Sequence, residues 1–84
     1  MQRVEIYTTP TCPYCHRAKA LLAEKGVSYE ETDVSADPAI RSAMTDRAGG
    51  KRSVPQIFIG DTHVGGCDDL YALEQAGKLD ALLA

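Results

Sequence analysis

Apolar and polar residues alternate along Val4-Glu5-Ile6-Tyr7 with the period of two that predicts a short strand. The repeat then changes. From Arg17 to Lys25 the chain is rich in Ala, Leu and Lys, and Cys15, Ala18 and Leu22 recur at the spacing of one helical face. Gly26 supplies a stop, and Val27-Ser28-Tyr29-Glu30-Glu31-Thr32 alternates again, as a half-buried strand does. Strand, helix, strand predicts a βαβ unit with parallel strands and a right-handed crossover. Asp37-Pro38 reads as an N-cap followed by proline at the first helical position, opening a helix in which Ile40, Ala43 and Met44 share a face and which Gly49-Gly50 ends. Gln56-Ile57-Phe58-Ile59 is apolar and β-rich, and Gly60-Asp61 is a tight-turn signal before Thr62-His63-Val64, so a hairpin is expected. Beyond Gly65-Gly66, Cys67-Asp68-Asp69 begins a last helix with Leu70 and Leu73 inward and Gly77 at its end. Leu79, Leu82 and Leu83 are expected to form a final packed turn.

The order β-α-β-α-β-β-α predicts an α/β fold, a four-stranded mixed sheet flanked by three helices, in one domain spanning residues 1–84. A chain of 84 residues that is 44% apolar has a normal globular composition, and a domain of this size buries only about two-thirds of its unfolded surface. A net charge of −3, with the nine basic residues scattered, forms no stripe for nucleic acid. No apolar run has membrane-spanning length, so no membrane association is expected, and a monomer is. Three cysteines without an apolar leader after Met1 point to a reducing compartment, expected to be the cytoplasm, in which the thiols are working groups.

The candidate chemistry lies in Cys12-Pro13-Tyr14-Cys15, where the first strand hands over to the first helix. Backbone N–H groups of a first helical turn lack helical partners, and the helix dipole adds roughly half a positive charge there, so a thiolate at Cys12 is stabilised. Pro13 fits that turn because its missing N–H costs nothing. Cys12 precedes the turn and points outward, whereas Cys15 belongs to the inward face; one sulfur is exposed and nucleophilic, the other sheltered. This asymmetry suits thiol–disulfide exchange, in which one thiolate forms a mixed disulfide and a neighbour resolves it. Three other readings compete. The two cysteines could be packing residues. With His16 they match a C-x-x-C-H haem attachment, which needs export and an axial partner. Cys12, Cys15, His63 and Cys67 add up to a Cys3His zinc set, although His63 and Cys67 are not a typical knuckle pair.

Three motifs together, Cys12-Pro13-Tyr14-Cys15, Ser53-Val54-Pro55-Gln56 and Gly65-Gly66-Cys67-Asp68-Asp69, resemble a dithiol glutaredoxin of the bacterial type, and the resemblance covers nearly the whole chain. The family often carries a lysine shortly before the first cysteine, where this chain has Thr9-Pro10. The resemblance implies the thioredoxin fold, glutathione as reductant and co-substrate, no other cofactor, no metal, and a cis Val54-Pro55 bond facing the active site. A cis bend there would turn the Val54 N–H and C=O toward Cys12, where the cysteinyl part of glutathione pairs as an added strand does. Beyond the bend at Gly66, free N–H groups of Cys67 and Asp68 can take the γ-glutamyl carboxylate, and the Asp68 side chain can pair with the α-amino group. Lys51 and Arg52 are candidates for the glycine carboxylate, with Arg47 a weaker one. Tyr14 is expected to lean over the ligand as an apolar wall. Cys67 reads as a small packing residue whose backbone matters, and His16 and His63 as surface residues.

The implied activity is glutathione-dependent thiol-disulfide oxidoreduction, with disulfide-bonded or glutathionylated proteins as partners and Cys12 and Cys15 as the redox pair. Its rivals are a thioredoxin-like protein recharged by a flavoenzyme reductase, and an iron–sulfur carrier with Cys12 and glutathione as ligands across a dimer. Pro13 speaks against the carrier, because cluster-carrying relatives that resemble this chain have small or flexible residues after the first cysteine.

Overall fold

A computed structural model describes residues 2–84. The elements run β1 (Val4–Thr8), α1 (Pro13–Glu24), β2 (Glu30–Asp33), α2 (Pro38–Arg47), β3 (Gln56–Ile59), β4 (Thr62–Gly65), α3 (Cys67–Gln75) and α4 (Leu79–Leu83). The strands form a four-stranded sheet in the order β2-β1-β3-β4. Strand β1 is parallel to β2 and antiparallel to β3, and β3 is antiparallel to β4. The mixed sheet follows from the two kinds of connection: α1 provides the crossover that parallel strands need, whereas Gly60, at φ 57°, lets β3 return as β4 in a tight turn.

Val4 and Ile6 of β1 and Ile57 and Ile59 of β3 pack with Ala18, Leu21 and Leu22 of α1, Leu70 of α3, and Leu79 and Leu83 of α4. The alternate residues of β3, Gln56 and Phe58, are buried as well, so this strand is covered on both faces. That explains the apolar run Ile57-Phe58-Ile59, which alternation does not. The N-caps follow the local signals: Cys12 caps α1 and Asp37 caps α2, accepting the Ala39 N–H at 2.9 Å, each ahead of a proline.

Three expectations need correction. Strand β2 covers only Glu30–Asp33 and is largely exposed, not half-buried from Val27 onward. Val27 is a core residue of the preceding loop, its N–H held by the Leu22 carbonyl at 3.4 Å, so an edge strand and its approach together imitate one alternating segment. On α2 the inward row is Met44 and Ala48 with Ile40 half-buried, while Ala43 is exposed, because one turn back from Ala48 is Met44. The final leucines form a fourth helix among the described residues, not a turn closing a third. Gly77, at φ 71°, interrupts the helical path between α3 and α4, and Lys25 of the α1 C-cap ties them with ion pairs to Glu74 at 2.6 Å and Asp80 at 2.9 Å. Among the described residues no helix is long and apolar enough to cross a membrane.

Gly65 closes β4 at φ 113°, and a Cβ added there would run into the Asp69 carboxylate. That carboxylate accepts the Gly66 N–H at 3.0 Å and so sets how the chain enters α3. Gly65→Ala is therefore expected to destabilise the fold by about 1–3 kcal/mol. A lower urea midpoint at unchanged m-value is the measurement.

Candidate active site

The three cysteines are free thiols, and they differ in setting. Cys12 lies at the mouth of α1 in extended backbone, half-buried, and its sulfur accepts the Cys15 N–H at 3.1 Å. It serves as the helix N-cap, a place that ordinary caps fill with an oxygen acceptor. From the other side the Cys12 thiol donates to the Val54 carbonyl at 3.8 Å. The β1–α1 loop and the segment leading into β3 thus meet at one sulfur. Cys15, one turn along the helix, is fully buried. Burial, and then its hydrogen bond with the Cys12 sulfur, push the Cys15 thiol up to about 12. Cys15 is sheltered as expected, whereas Cys12 is half-buried and not fully exposed.

A groove of about 210 Å³ lies between Tyr14, the segment from Lys51 to Gln56, and the start of α3 from Gly66 to Asp69. The Val54–Pro55 peptide bond on its wall is cis. Tyr14 is 54% exposed, the large apolar side chain left standing at the surface. Helix α3 opens on Gly66, which has no side chain to cap it, so the first-turn N–H groups at Cys67 and Asp68 have no side-chain acceptor. Cys67 itself is buried beside Leu70 in the core, and burial pushes its thiol up.

The structure brings Tyr14, Lys51, Val54, Pro55, Gly66, Cys67 and Asp68 to this groove, but not Arg52. Arg52 lines a separate hollow with Arg41 and Thr45, and its carbonyl accepts the Arg41 guanidinium at 2.8 and 3.2 Å. Arg47 is committed elsewhere: it pairs with Glu5 at 2.6 Å and sits 4.0 Å above the Phe58 ring. Adjacent positions in a polar loop point to different sides, and only the folded path shows which. His63 is half-buried, not a simple surface residue, stacking on Phe58 at 4.8 Å and bonding the Gln56 side chain at 2.7 Å. Gln56 lines the groove as well, and its signal in the sequence is a polar residue at the head of an apolar strand. The Cys3His arrangement does not form: among the described residues no group of three or more His, Cys, Asp or Glu could hold a metal ion.

The glutaredoxin family model matches residues 4–64, which include both cysteines and the cis-proline segment. This chain belongs to the glutaredoxin family. It is 59% identical to Escherichia coli glutaredoxin 3 over 83 residues, covering 99% of each chain. The solution structure of a Brucella melitensis glutaredoxin is similar at 63% identity and a TM-score of 0.87, covering 99% of this chain and 89% of that one. A buckwheat glutaredoxin solved as its glutathione complex aligns at a TM-score of 0.89 and 32% identity over 98% of this chain and 76% of that one. The sheet order and helices are those of the thioredoxin fold, and membership carries thiol–disulfide oxidoreductase activity with it. In this glutaredoxin, a half-buried thiol and a fully buried one lie within a single helical turn.

Proposed function

We propose that this glutaredoxin acts as a single-domain monomer that reduces protein disulfides and glutathione mixed disulfides, with glutathione as electron donor. The observation that carries the reading is the groove lined by Val54, whose carbonyl meets the Cys12 sulfur, and its walls offer complementary groups for a zwitterionic γ-glutamyl tripeptide. The Val54 backbone beside the sulfur suits the cysteinyl unit. The uncapped N–H groups at the start of α3 suit the γ-glutamyl carboxylate, and the exposed Asp68 suits its ammonium group. Lys51, which lines the groove, suits the glycine carboxylate, and Tyr14 suits an apolar wall. The glutathione complex of the buckwheat relative supports the same ligand class.

In this scheme the Cys12 thiolate attacks the glutathione sulfur of the mixed disulfide, forms the enzyme–glutathione disulfide and expels the substrate thiolate. A glutathione thiolate then attacks the glutathionyl sulfur, releasing glutathione disulfide and the Cys12 thiolate. With a protein disulfide, Cys12 makes the mixed disulfide, Cys15 displaces the second substrate thiolate, and two glutathione molecules reduce the Cys12–Cys15 bond. This chemistry belongs where glutathione is kept reduced, which we take to be the cytoplasm.

A coupled assay that supplies either glutathione with glutathione reductase or a thioredoxin reductase separates this reading from the flavoenzyme-recharged one. Turnover with the first system alone is expected. In the same assay Asp68→Ala should raise KM for glutathione about 3- to 10-fold with kcat changed less than about 2-fold, as loss of one exposed charge-assisted contact implies. Equal turnover with thioredoxin reductase, or an unchanged KM, would count against the assignment.

A further inference from the structure

We infer that His63 is a positioning residue for the active-site loop: through Gln56 it holds the Ser53–Val54 segment against the Cys12 sulfur. The hydrogen bonds run in one direction only. The Ser53 carbonyl can only accept, so the amide nitrogen of Gln56 must face it, and Nε2 lies 3.0 Å from that oxygen and 3.3 Å from the Ser53 hydroxyl. Gln56 Oε1 is thereby turned the other way, 2.7 Å from His63 Nε2. An amide oxygen donates nothing, so His63 must carry its proton on Nε2. Gln56 is 1% exposed, and a buried amide oxygen without its donor is costly.

One end of this relay is rigid and the other needs holding. The His63 ring is fixed by stacking on Phe58 at an interplanar angle of 22°. Phe58 is held in turn by the Arg47 guanidinium over its face and the Tyr7 ring at its edge, 5.8 Å away. Ser53 and Val54 lie outside any strand, and among the described residues no turn or loop backbone hydrogen bond anchors either. The Gln56 amide is what ties the Ser53 carbonyl, and the next carbonyl along the chain is the one that meets Cys12.

The test uses two substitutions and the free, reduced protein. His63→Phe keeps a ring on Phe58 and removes the donor; His63→Gln removes the ring and keeps an amide N–H at about the reach of Nε2. The kinetic arm rests on the glutathione reading above: His63→Phe is expected to raise KM for glutathione about 3- to 10-fold with kcat within about 2-fold, while His63→Gln stays within about 2-fold of wild type in both. The structural arm needs no glutathione: His63→Phe should shift and broaden the Ser53 and Val54 amide resonances, and His63→Gln should restore them. Both variants behaving as wild type, or His63→Gln as impaired as His63→Phe, would overturn the proposal. A wild-type protein that glutathione does not reduce sinks the glutathione reading, and the loop resonances then decide the role of His63 alone. The imidazole nitrogen shifts of the wild type offer a check that no misfolded variant can spoil. A proton on Nε2 supports the relay, and a neutral ring with its proton on Nδ1 ends it.

Discussion

Cys12→Ser is expected to abolish reduction of every disulfide substrate, roughly a thousand-fold loss or more, because a serine hydroxyl at neutral pH neither ionises nor attacks sulfur. Cys15→Ser should divide the activities instead. Removing a glutathionyl group requires one attacking thiolate and a glutathione molecule, so this variant keeps most of that activity, with a gain where formation of the Cys12–Cys15 bond was unproductive. Reducing a protein disulfide through the dithiol route needs the second thiol, and that activity should fall at least about ten-fold. Cys15 is fully buried, so its replacement must be shown to fold; the Thr9 backbone beside the sulfur can serve the new hydroxyl. Cys67→Ala is the control, since the groove would use the backbone N–H of Cys67 while its side chain packs in the core. The measurement is reduction of one glutathionylated peptide and one disulfide-bonded protein by the three variants. Loss of both activities in a folded Cys15→Ser protein would refute the division of labour.

The second large effect is chemical selectivity between the same two thiols. A thiol pushed up to about 12 is ionised at pH 7 in only about one molecule in 10⁵, and full burial denies Cys15 to reagents as well. Iodoacetamide at pH 7 should therefore modify Cys12 at least about 100-fold faster than Cys15, as mass mapping of the first adduct can show. Comparable rates would mean that the inward placement of Cys15 does not persist in solution. The same shift has a stability consequence whose sign is fixed. The Cys15 thiol binds its proton more tightly folded than unfolded, so its contribution is complete below the unfolded value of about 8.5 and is lost as pH rises toward about 12. Within that window the slope is at most about 1.4 kcal/mol per pH unit. Cys67, Lys19 and Lys25 shift in the same direction, so the wild type must be compared with Cys15→Ser at each pH. The difference between their urea midpoints should narrow above pH 8.5; a constant difference would contradict the shift.

Local chemistry made much of this molecule legible before any folding was considered. Asp37-Pro38 starts a helix wherever it stands, because an aspartate oxygen reaches the free N–H two residues on and proline forfeits no helical bond. Gly60 permits a turn its neighbours would resist, and the spacing of Cys12 and Cys15 separates an outward sulfur from an inward one on any helix that begins at Pro13. Those features depend on atoms a few bonds apart, and the sequence by itself determined them: the order of the elements from β1 to α3, the caps, and the unequal pair of thiols. The remainder depends on neighbours distant in the chain. Burial of β3 on both faces, the shortness of edge strand β2, the turning of Arg52 and Arg47 away from the groove, and the passage from His63 through Gln56 to Ser53 were decided only by tertiary structure. A side chain's partner is chosen by which distant segments the sheet order brings alongside it, and no local periodicity carries that information.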